Sequence, residues 1–187
     1  MNIILFGPPG AGKGTQAKYL VKRLNNFRIS TGDILRNEIK KDSEIGKNII
    51  NNMSDGKFVS DEIVNELIKD LIFDPNNINR LIFDGYPRSL SQAKNLDLLL
   101  TNSNQKIDCI FFLNVHKDII IKRIEKRKDI ENRSDDNLKT IVKRYEVYME
   151  TTKPVLEHYA KNTNFHEIDG SLEIDQITNK IDTFLKV

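Results

Sequence analysis

The 187-residue sequence has one cysteine, three histidines and no long apolar run. The lone cysteine excludes a disulfide framework and a four-cysteine zinc site, and the place of Cys109 in the apolar run CIFFL indicates a buried thiol. The histidines, His116, His158 and His166, have neither triad nor metal-ligand spacing. No apolar run approaches the roughly eighteen residues of a membrane span, and no signal peptide is visible. We therefore expect a cytoplasmic protein without a membrane partner.

Neither sign of charge dominates, because 29 Lys and Arg residues stand against 27 Asp and Glu residues, a net charge of +2. This balance excludes a protein that binds nucleic acid mainly through bulk positive charge. The basic segment KRIEKRK (122–128), taken alone, is typical of a solvated helix face or of a local nucleic-acid patch. Without further support for such a patch, we expect no nucleic-acid partner.

Four short apolar runs recur along the chain, NIILF (2–6), RLIFD (80–84), CIFFLNV (109–115) and FHEID (165–169), with a weaker fifth run, FRIS (27–30). Their continuous apolarity predicts strands buried on both faces, as in a parallel sheet covered by helices, and therefore an α/β fold. Helical patterns predict helices at about 13–25, 31–41, 43–54, 61–73, 89–101, 117–127, 135–161 and 172–186. We expect one domain over 1–187, in which the polar stretch 30–59 is a small inserted lobe.

The segment GPPGAGKG fits the phosphate-loop pattern G-x-x-x-x-G-K from Gly7 to Lys13. A strand precedes it and a helical pattern follows, so its glycines and the helix start can bring backbone N–H groups to phosphate oxygens. Lys13 is expected to reach the terminal phosphates. Gly14 stands where the pattern has a Ser or Thr that ligates Mg²⁺, so the usual hydroxyl ligand is missing.

Three segments in order, GPPGAGKGTQ, STGDILR (30–36) and FDGYPRSLSQA (83–93), resemble the adenylate kinases and their nucleoside-monophosphate kinase relatives. The resemblance covers essentially the whole chain. It implies a three-layer P-loop fold with a five-stranded parallel sheet, a helical monophosphate-binding insertion at 30–59 and a short lid at 127–133. It also implies a monomer that reversibly transfers a phosphoryl group from Mg·ATP to AMP, giving two ADP, in adenine nucleotide homeostasis and nucleotide biosynthesis.

The same resemblance implies roles for residues of this sequence. The catalytic set would be Lys13, Arg88, Arg123, Arg127, Arg133 and Arg144. ATP would be bound by Gly10, Ala11, Gly12, Lys13, Gly14, Thr15, Arg123, Arg127, Gly170 and Leu172. AMP would be bound by Thr31, Arg36, Lys57, Phe58, Val59, Gly85, Tyr86, Pro87, Arg88, Gln92, Arg133 and Arg144.

Arginine suits this chemistry because its planar guanidinium binds phosphate with two hydrogen bonds and stays protonated. The acceptor phosphate has a second pKa of about 6, so it is mostly a dianion at neutral pH and needs no general base. Since Gly14 offers no hydroxyl, we expect Mg²⁺ to be held by ATP phosphates and waters, with Asp84 and Asp33 contacting those waters and no protein group as a direct ligand.

Two details set this sequence apart from the common bacterial pattern of the family. Only KDIEN separates Arg127 from Arg133, where long-lid enzymes carry a lid domain, so the sequence resembles a short-lid member. Ser60 stands where the family usually has proline, which should loosen that turn modestly.

The alternatives are a UMP/CMP kinase, a GTP-binding switch and a nonenzymatic nucleotide-binding protein. Pyrimidine-specific relatives typically carry Asn and Ala where this sequence has Gln92 and Thr31, and the Gln92 amide complements an adenine edge. The segment NKID (179–182) matches a guanine-reading pattern. It falls within an amphipathic helical pattern, however, and no D-x-x-G element accompanies it. Formation of ADP from ATP and AMP would distinguish an enzyme from a binding protein.

Overall fold

The computed structural model describes residues 1–41, 46–47, 49–50, 59–131 and 138–185, with residues 126–131 and 138–139 described by their backbone alone. Its sheet has five strands in the order β2-β3-β1-β4-β5. They are β1 (Ile3–Phe6), β2 (Phe27–Ser30), β3 (Leu81–Asp84), β4 (Cys109–Asn114) and β5 (Phe165–Asp169). All neighbours pair in parallel, which confirms the predicted five-stranded parallel sheet.

The helices of the described residues flank this sheet. They are α1 (Lys13–Leu24), α2 (Thr31–Lys40), α3 (Asp61–Phe73), α4 (Leu90–Asn102), α5 (Lys117–Glu131), α6 (Leu138–Val147), α7 (Lys153–Tyr159) and α8 (Ile174–Leu185). Residues 46–47 and 49–50 are helical, whereas the rest of the helix predicted at 43–54 lies outside the described residues. Within the described part of the chain, no helix is both long and apolar enough to cross a membrane.

The continuous apolarity of the strands is explained by two cores, one on each face of the sheet. In β1, Ile4 and Phe6 pack into one core, whereas Ile3 and Leu5 pack into the other. Successive side chains of a strand point to opposite faces, so a strand buried on both faces needs an apolar residue at every position. Cys109 belongs to the second core, where burial raises the pKa of its thiol to about 11, in agreement with the predicted buried thiol.

The helix predicted at 135–161 is interrupted by a π-helical turn, Tyr148–Thr152, between α6 and α7. Pro154, in the first turn of α7, has no N–H, and its ring would clash with the carbonyl four residues earlier in a regular helix. In the wider turn the N–H of Lys153 donates to the carbonyl of Tyr148, five residues back. Tyr148 and Thr152 are both buried.

The sheet order locates a crevice at the carboxyl end of β1, which pairs with β3 on one side and β4 on the other. The chain leaves β1 through the loop to α1, and ligands of open parallel sheets bind where successive connections diverge to opposite sides. Asp84 ends β3 at this same edge.

Candidate active site

The phosphate loop is held against α5 by a glycine. Gly10 has a φ of +81°, and a Cβ there would lie 2.8 Å from Cγ1 of Ile124. Helix α1 begins at Lys13, and Gly12 before it has no side chain that could cap the first N–H groups. The start of α1 therefore has the donors and the positive helix end that bind phosphate.

Three cationic side chains line one cavity beside this loop. Lys13 donates from Nζ to the carbonyl oxygens of Gly7 (2.6 Å) and Pro8 (2.9 Å), so its ammonium lies over its own loop. Together with Arg88 and Arg144 it lines a cavity of about 60 Å³. The structure thus brings together three of the residues that the resemblance assigned to phosphoryl transfer, although they come from α1, from the segment after β3 and from α6.

Arg88 is fixed by the segment that follows β3. Its Nε donates to the Gly85 carbonyl at 2.7 Å, and its Nη2 lies 3.3 Å from Oγ1 of Thr31. Thr31 in turn donates to the same carbonyl at 2.7 Å. A Cβ at Gly85, which has a φ of +80°, would lie 2.8 Å from Arg88 Nη2. The hydroxyl of Thr152, in the π-helical turn, donates to the Arg88 carbonyl at 3.0 Å.

The amide of Gln92 is held at both ends by the protein. Its Nε2 donates to Oδ1 of Asp61 at 2.7 Å, and its Oε1 accepts from the N–H of Arg88 at 2.7 Å. A carboxylate only accepts and an N–H only donates, so these partners fix which end of the amide is oxygen. Each end can still form one more hydrogen bond, although only 2% of Gln92 is exposed in this conformation.

Asp61 is a site residue that the sequence reasoning missed. Its second oxygen, Oδ2, accepts from Oγ of Ser89 at 2.6 Å, so one carboxylate holds two residues at the start of α4. In the sequence, Asp61 has the pattern of an acidic residue in a first helical turn, where it stabilises the helix end. An acidic residue in a first helical turn is common, so the sequence did not indicate that Asp61 contacts Gln92.

A chain of ion pairs runs along the carboxyl edge of β2 and β3. Arg28 donates to Oδ2 of Asp84 from Nε (3.0 Å) and Nη2 (2.5 Å), and to Oδ2 of Asp33 from Nη1 (3.0 Å). Arg36, assigned above to the monophosphate, donates here to Oδ1 of Asp33 at 2.5 Å. Burial tends to raise the pKa of Asp33, but its hydrogen bonds with Arg36 and Ser30 and the charge of Arg28 outweigh burial and lower it.

The oxygen donors at this edge fit Mg²⁺ only in part. Among the described residues, no group of three or more His, Cys, Asp or Glu side chains could hold a metal ion. Asp84 and Asp33 offer hard carboxylate oxygens, and Mg²⁺ in such sites completes its shell with phosphates and waters. A Cβ at Gly14 would lie 3.6 Å from Asp84 Oδ2, so the phosphate loop runs directly beside this carboxylate.

Arg123 connects the phosphate loop with the loop after β5. Its Nη1 donates to the Gly170 carbonyl at 2.7 Å and lies 3.5 Å from the Ala11 carbonyl. Its Nη2 donates weakly to the carbonyls of Ser171 and Leu172, each at 3.4 Å. Four residues assigned to ATP, Ala11, Arg123, Gly170 and Leu172, therefore lie together.

Most of the other residues that the resemblance assigned to ATP or AMP lie in the phosphate loop, in buried positions or outside the described residues. Gly10, Gly12, Gly14 and the exposed Thr15 lie in the loop and the first turn of α1, whereas Val59, Tyr86 and Pro87 are buried. Lys57, Phe58 and Arg133 lie outside the described residues, and Arg127 is described only as backbone within α5.

The NKID segment lies inside α8, as predicted, with Ile181 in the core. Its Asp182 accepts a hydrogen bond from the hydroxyl of Tyr19 at 2.6 Å, which ties α8 to α1. This helical placement removes the basis for a guanine-reading motif.

Comparison with known proteins points to one family. The family model described as adenylate kinase matches residues 5–164. A protein named adenylate kinase from Pelagibacter ubique (strain HTCC1062) is 50% identical over 213 aligned positions, which cover 100% of both chains. One from Caulobacter sp. (strain K31) is 41% identical over 187 positions, 100% of this chain and 99% of its own. One from Mycoplasma capricolum subsp. capricolum is 39% identical over 215 positions, again 100% of both.

Proposed function

The chain belongs to the adenylate kinase family, and from this premise we propose that it transfers the terminal phosphoryl group of ATP reversibly to AMP, giving two ADP. The observation that carries the proposal is the meeting of Lys13, Arg88 and Arg144 at one cavity beside the start of α1. Three cations and a helix N-terminus at one point match the charge that spreads over the phosphoryl oxygens in the transition state.

The proposed catalysis consists of positioning and charge neutralisation. Lys13 and the first N–H groups of α1 hold the donor phosphates, Arg88 holds the acceptor phosphate, and Arg144 contacts the group that passes between them. No general base is needed, because the acceptor phosphate already carries a nucleophilic oxygen anion. When bound with the nucleotide, Mg²⁺ would neutralise charge on the phosphate oxygens, and Asp84 and Asp33 would hold its waters.

AMP recognition is assigned to the cluster around Gln92. Asp61 and the Arg88 N–H fix the orientation of the amide, so its second N–H and second lone pair can pair with the ring nitrogen and the exocyclic amine of adenine. Thr31 buttresses Arg88, and Arg36 is proposed to exchange Asp33 for the AMP phosphate.

ATP is proposed to lie along Arg123 and the loop after β5. Arg123 holds the carbonyls of Gly170 and Leu172 beside the phosphate loop, which shapes the edge where the adenine of ATP would pack. From their positions in the sequence, Arg127 and Arg133 are proposed to join it on the donor phosphates and the transferred group.

The lobe 30–59 is proposed to bind the monophosphate, and 127–133 to act as a short lid. The lengths of the relatives support the second proposal. Alignments with the Pelagibacter and Mycoplasma proteins extend over 213 and 215 positions, whereas this chain has 187 residues, so those relatives contain segments that this chain lacks. A shortened lid would produce such a difference.

We further propose a cytoplasmic, monomeric, Mg²⁺-dependent enzyme. ATP, AMP and Mg²⁺ are abundant together in the cytoplasm, and the proposed site is assembled from residues of a single chain. Sedimentation analysis should give one species near the chain mass of 21.6 kDa, and EDTA should abolish ADP formation. A stable dimer would contradict the monomer, and full activity in EDTA would contradict the metal requirement.

The function is tested by measuring ADP formation from ATP with AMP, CMP, UMP or GMP as acceptor. We expect efficient turnover with AMP and little with the pyrimidine nucleotides. A reaction without acceptor measures ATP hydrolysis and serves as the blank. Absence of AMP-dependent ADP would refute the kinase, and equal efficiency with CMP or UMP would refute the adenylate assignment in favour of a UMP/CMP kinase.

A further inference from the structure

One guanidinium bridges the two carboxylates that are expected to contact the waters of Mg²⁺. Arg28 lies in β2, beside β3, and its contacts with Asp84 and Asp33 all involve the Oδ2 atom of the carboxylate. The Asp84 side chain is only 9% exposed and that of Arg28 23%, so solvent screens this pair less than an ordinary surface ion pair.

The bridge lies directly beside the phosphate loop. A Cβ at Gly14 would lie 3.4 Å from Arg28 Nη2 and 3.6 Å from Asp84 Oδ2. The position where many phosphate loops place a hydroxyl ligand therefore faces an arginine and its carboxylate partner. A divalent ion on the nucleotide phosphates whose bound waters donate hydrogen bonds to Asp84 would therefore lie within several ångströms of the Arg28 guanidinium.

We propose that Arg28 is a positioning residue whose guanidinium holds the carboxylates of Asp33 and Asp84 and competes with Mg²⁺ for them. This competition raises the free Mg²⁺ concentration that the enzyme requires. This inference rests on the proposed function, because it assumes that Mg²⁺ arrives with ATP. It concerns a residue that belongs to none of the phosphate-binding sets assigned above.

Two physical effects give the competition its direction. Asp84 Oδ2 accepts two hydrogen bonds from Arg28, so a metal-bound water that needs this oxygen must share it or displace the guanidinium. In addition, a unit charge about 5 Å from a divalent ion weakens ion binding by roughly five- to tenfold, even where a water-like dielectric and ordinary salt screen the charge. Removing the charge should therefore tighten metal binding by about that factor.

The experiment titrates Mn²⁺, as an EPR-visible substitute for Mg²⁺, into enzyme saturated with a non-hydrolysable ATP analogue. Arg28→Gln should bind Mn²⁺ about five- to tenfold more tightly than wild type, whereas Arg28→Lys, which keeps the charge, should stay within about twofold. Arg80→Gln is the matched control, because Arg80 is exposed and donates to the Asn25 carbonyl at the opposite, amino end of the strands. It should leave the affinity unchanged.

Thermal melts establish that each variant is folded. If Arg28→Gln does not fold, Arg28→His replaces it, and its Mn²⁺ affinity should be higher at about pH 8, where imidazole is neutral, than at about pH 6. Unchanged or weaker Mn²⁺ binding by the uncharged variant would overturn the inference. The titration requires no phosphoryl transfer, so its result is separate from the ADP assay that tests the proposed function.

Discussion

Replacing Asp61 by alanine should make the enzyme discriminate less well between AMP and the pyrimidine monophosphates. Asp61 accepts from Gln92 Nε2 at 2.7 Å and from Ser89 Oγ at 2.6 Å. Without it, the nitrogen end of the Gln92 amide loses its partner, and only the Arg88 N–H still orients the side chain. The amide then samples orientations that cannot pair with adenine.

These contacts set the size of the expected losses in stability and in AMP binding. A hydrogen bond to a charged group contributes about 1.5–3 kcal/mol, and Asp61 is half-buried, so water compensates part of the loss. We expect the free energy of unfolding to fall by about 2 kcal/mol. A misoriented base-reading amide should cost about 1–1.4 kcal/mol of AMP binding, which raises KM for AMP roughly five- to tenfold with little change in kcat.

The assay compares kcat/KM for AMP and CMP at saturating ATP, together with urea unfolding. Asp61→Asn keeps an oxygen that can accept from Gln92, so it should recover part of the AMP preference. Asp70→Ala changes an exposed carboxylate on the same helix and should change neither quantity. If Asp61→Ala lost stability but kept the ratio of kcat/KM for AMP and CMP within about twofold, Asp61 would be a purely structural residue with no part in AMP selection.

Three further predictions concern the loop and one buried tyrosine. Lys13→Ala should lower kcat by about a hundredfold or more while the circular dichroism spectrum is retained, and near wild-type turnover would contradict the site. Gly10→Ala should destabilise the protein in urea more than Gly12→Ala, because both positions have positive φ but only a Cβ at Gly10 meets Ile124; equal losses would show that the contact is relieved cheaply. Burial raises the pKa of Tyr86 from 10.0 to about 12. The unfolded chain therefore loses the Tyr86 proton at a lower pH than the folded protein does, so the stability that the neutral phenol contributes is complete below pH 10 and is lost as the pH rises toward 12. Between about pH 9 and pH 11, the free energy of unfolding of Tyr86→Phe should fall less than that of wild type.

The central strands β1 and β3 could be predicted from sequence because they are buried on both faces, whereas the edge strands β2 and β5 are partly exposed. Every position of β1 and β3 is buried, so the apolar runs were continuous and their ends were found to within one residue. The π-helical turn could not be predicted from periodicity, since it accommodates the missing N–H and the ring of Pro154, which a regular helix would not. From the sequence alone, Pro154 was compatible with the first turn of a new helix and with a kink in one continuous helix.

The candidate site could be predicted only in part, because a sequence motif describes only residues that are close together in the chain. The residues of the phosphate loop are close in sequence, so a motif describes them, whereas Arg28 and Asp61 act through side chains that meet residues far along the chain. Arg28 lies in the weakest of the predicted strands, and its charge alternates with apolar residues as on any edge strand. The pairing of β2 with β3, which places Arg28 beside Asp84, emerged only with the fold.

The π-helical turn also fixes the length of this part of the chain. Each residue of an α-helix turns the chain by about 100°, so losing or gaining one residue between Arg144 and Thr152 would rotate one of them away from the cavity that both line. Neighbouring loops can change length in evolution without such a rotation. Relatives that retain both the cavity arginine and the hydroxyl contact with the segment after β3 should therefore align across 144–152 without insertions or deletions, even where the rest of the helical region has diverged.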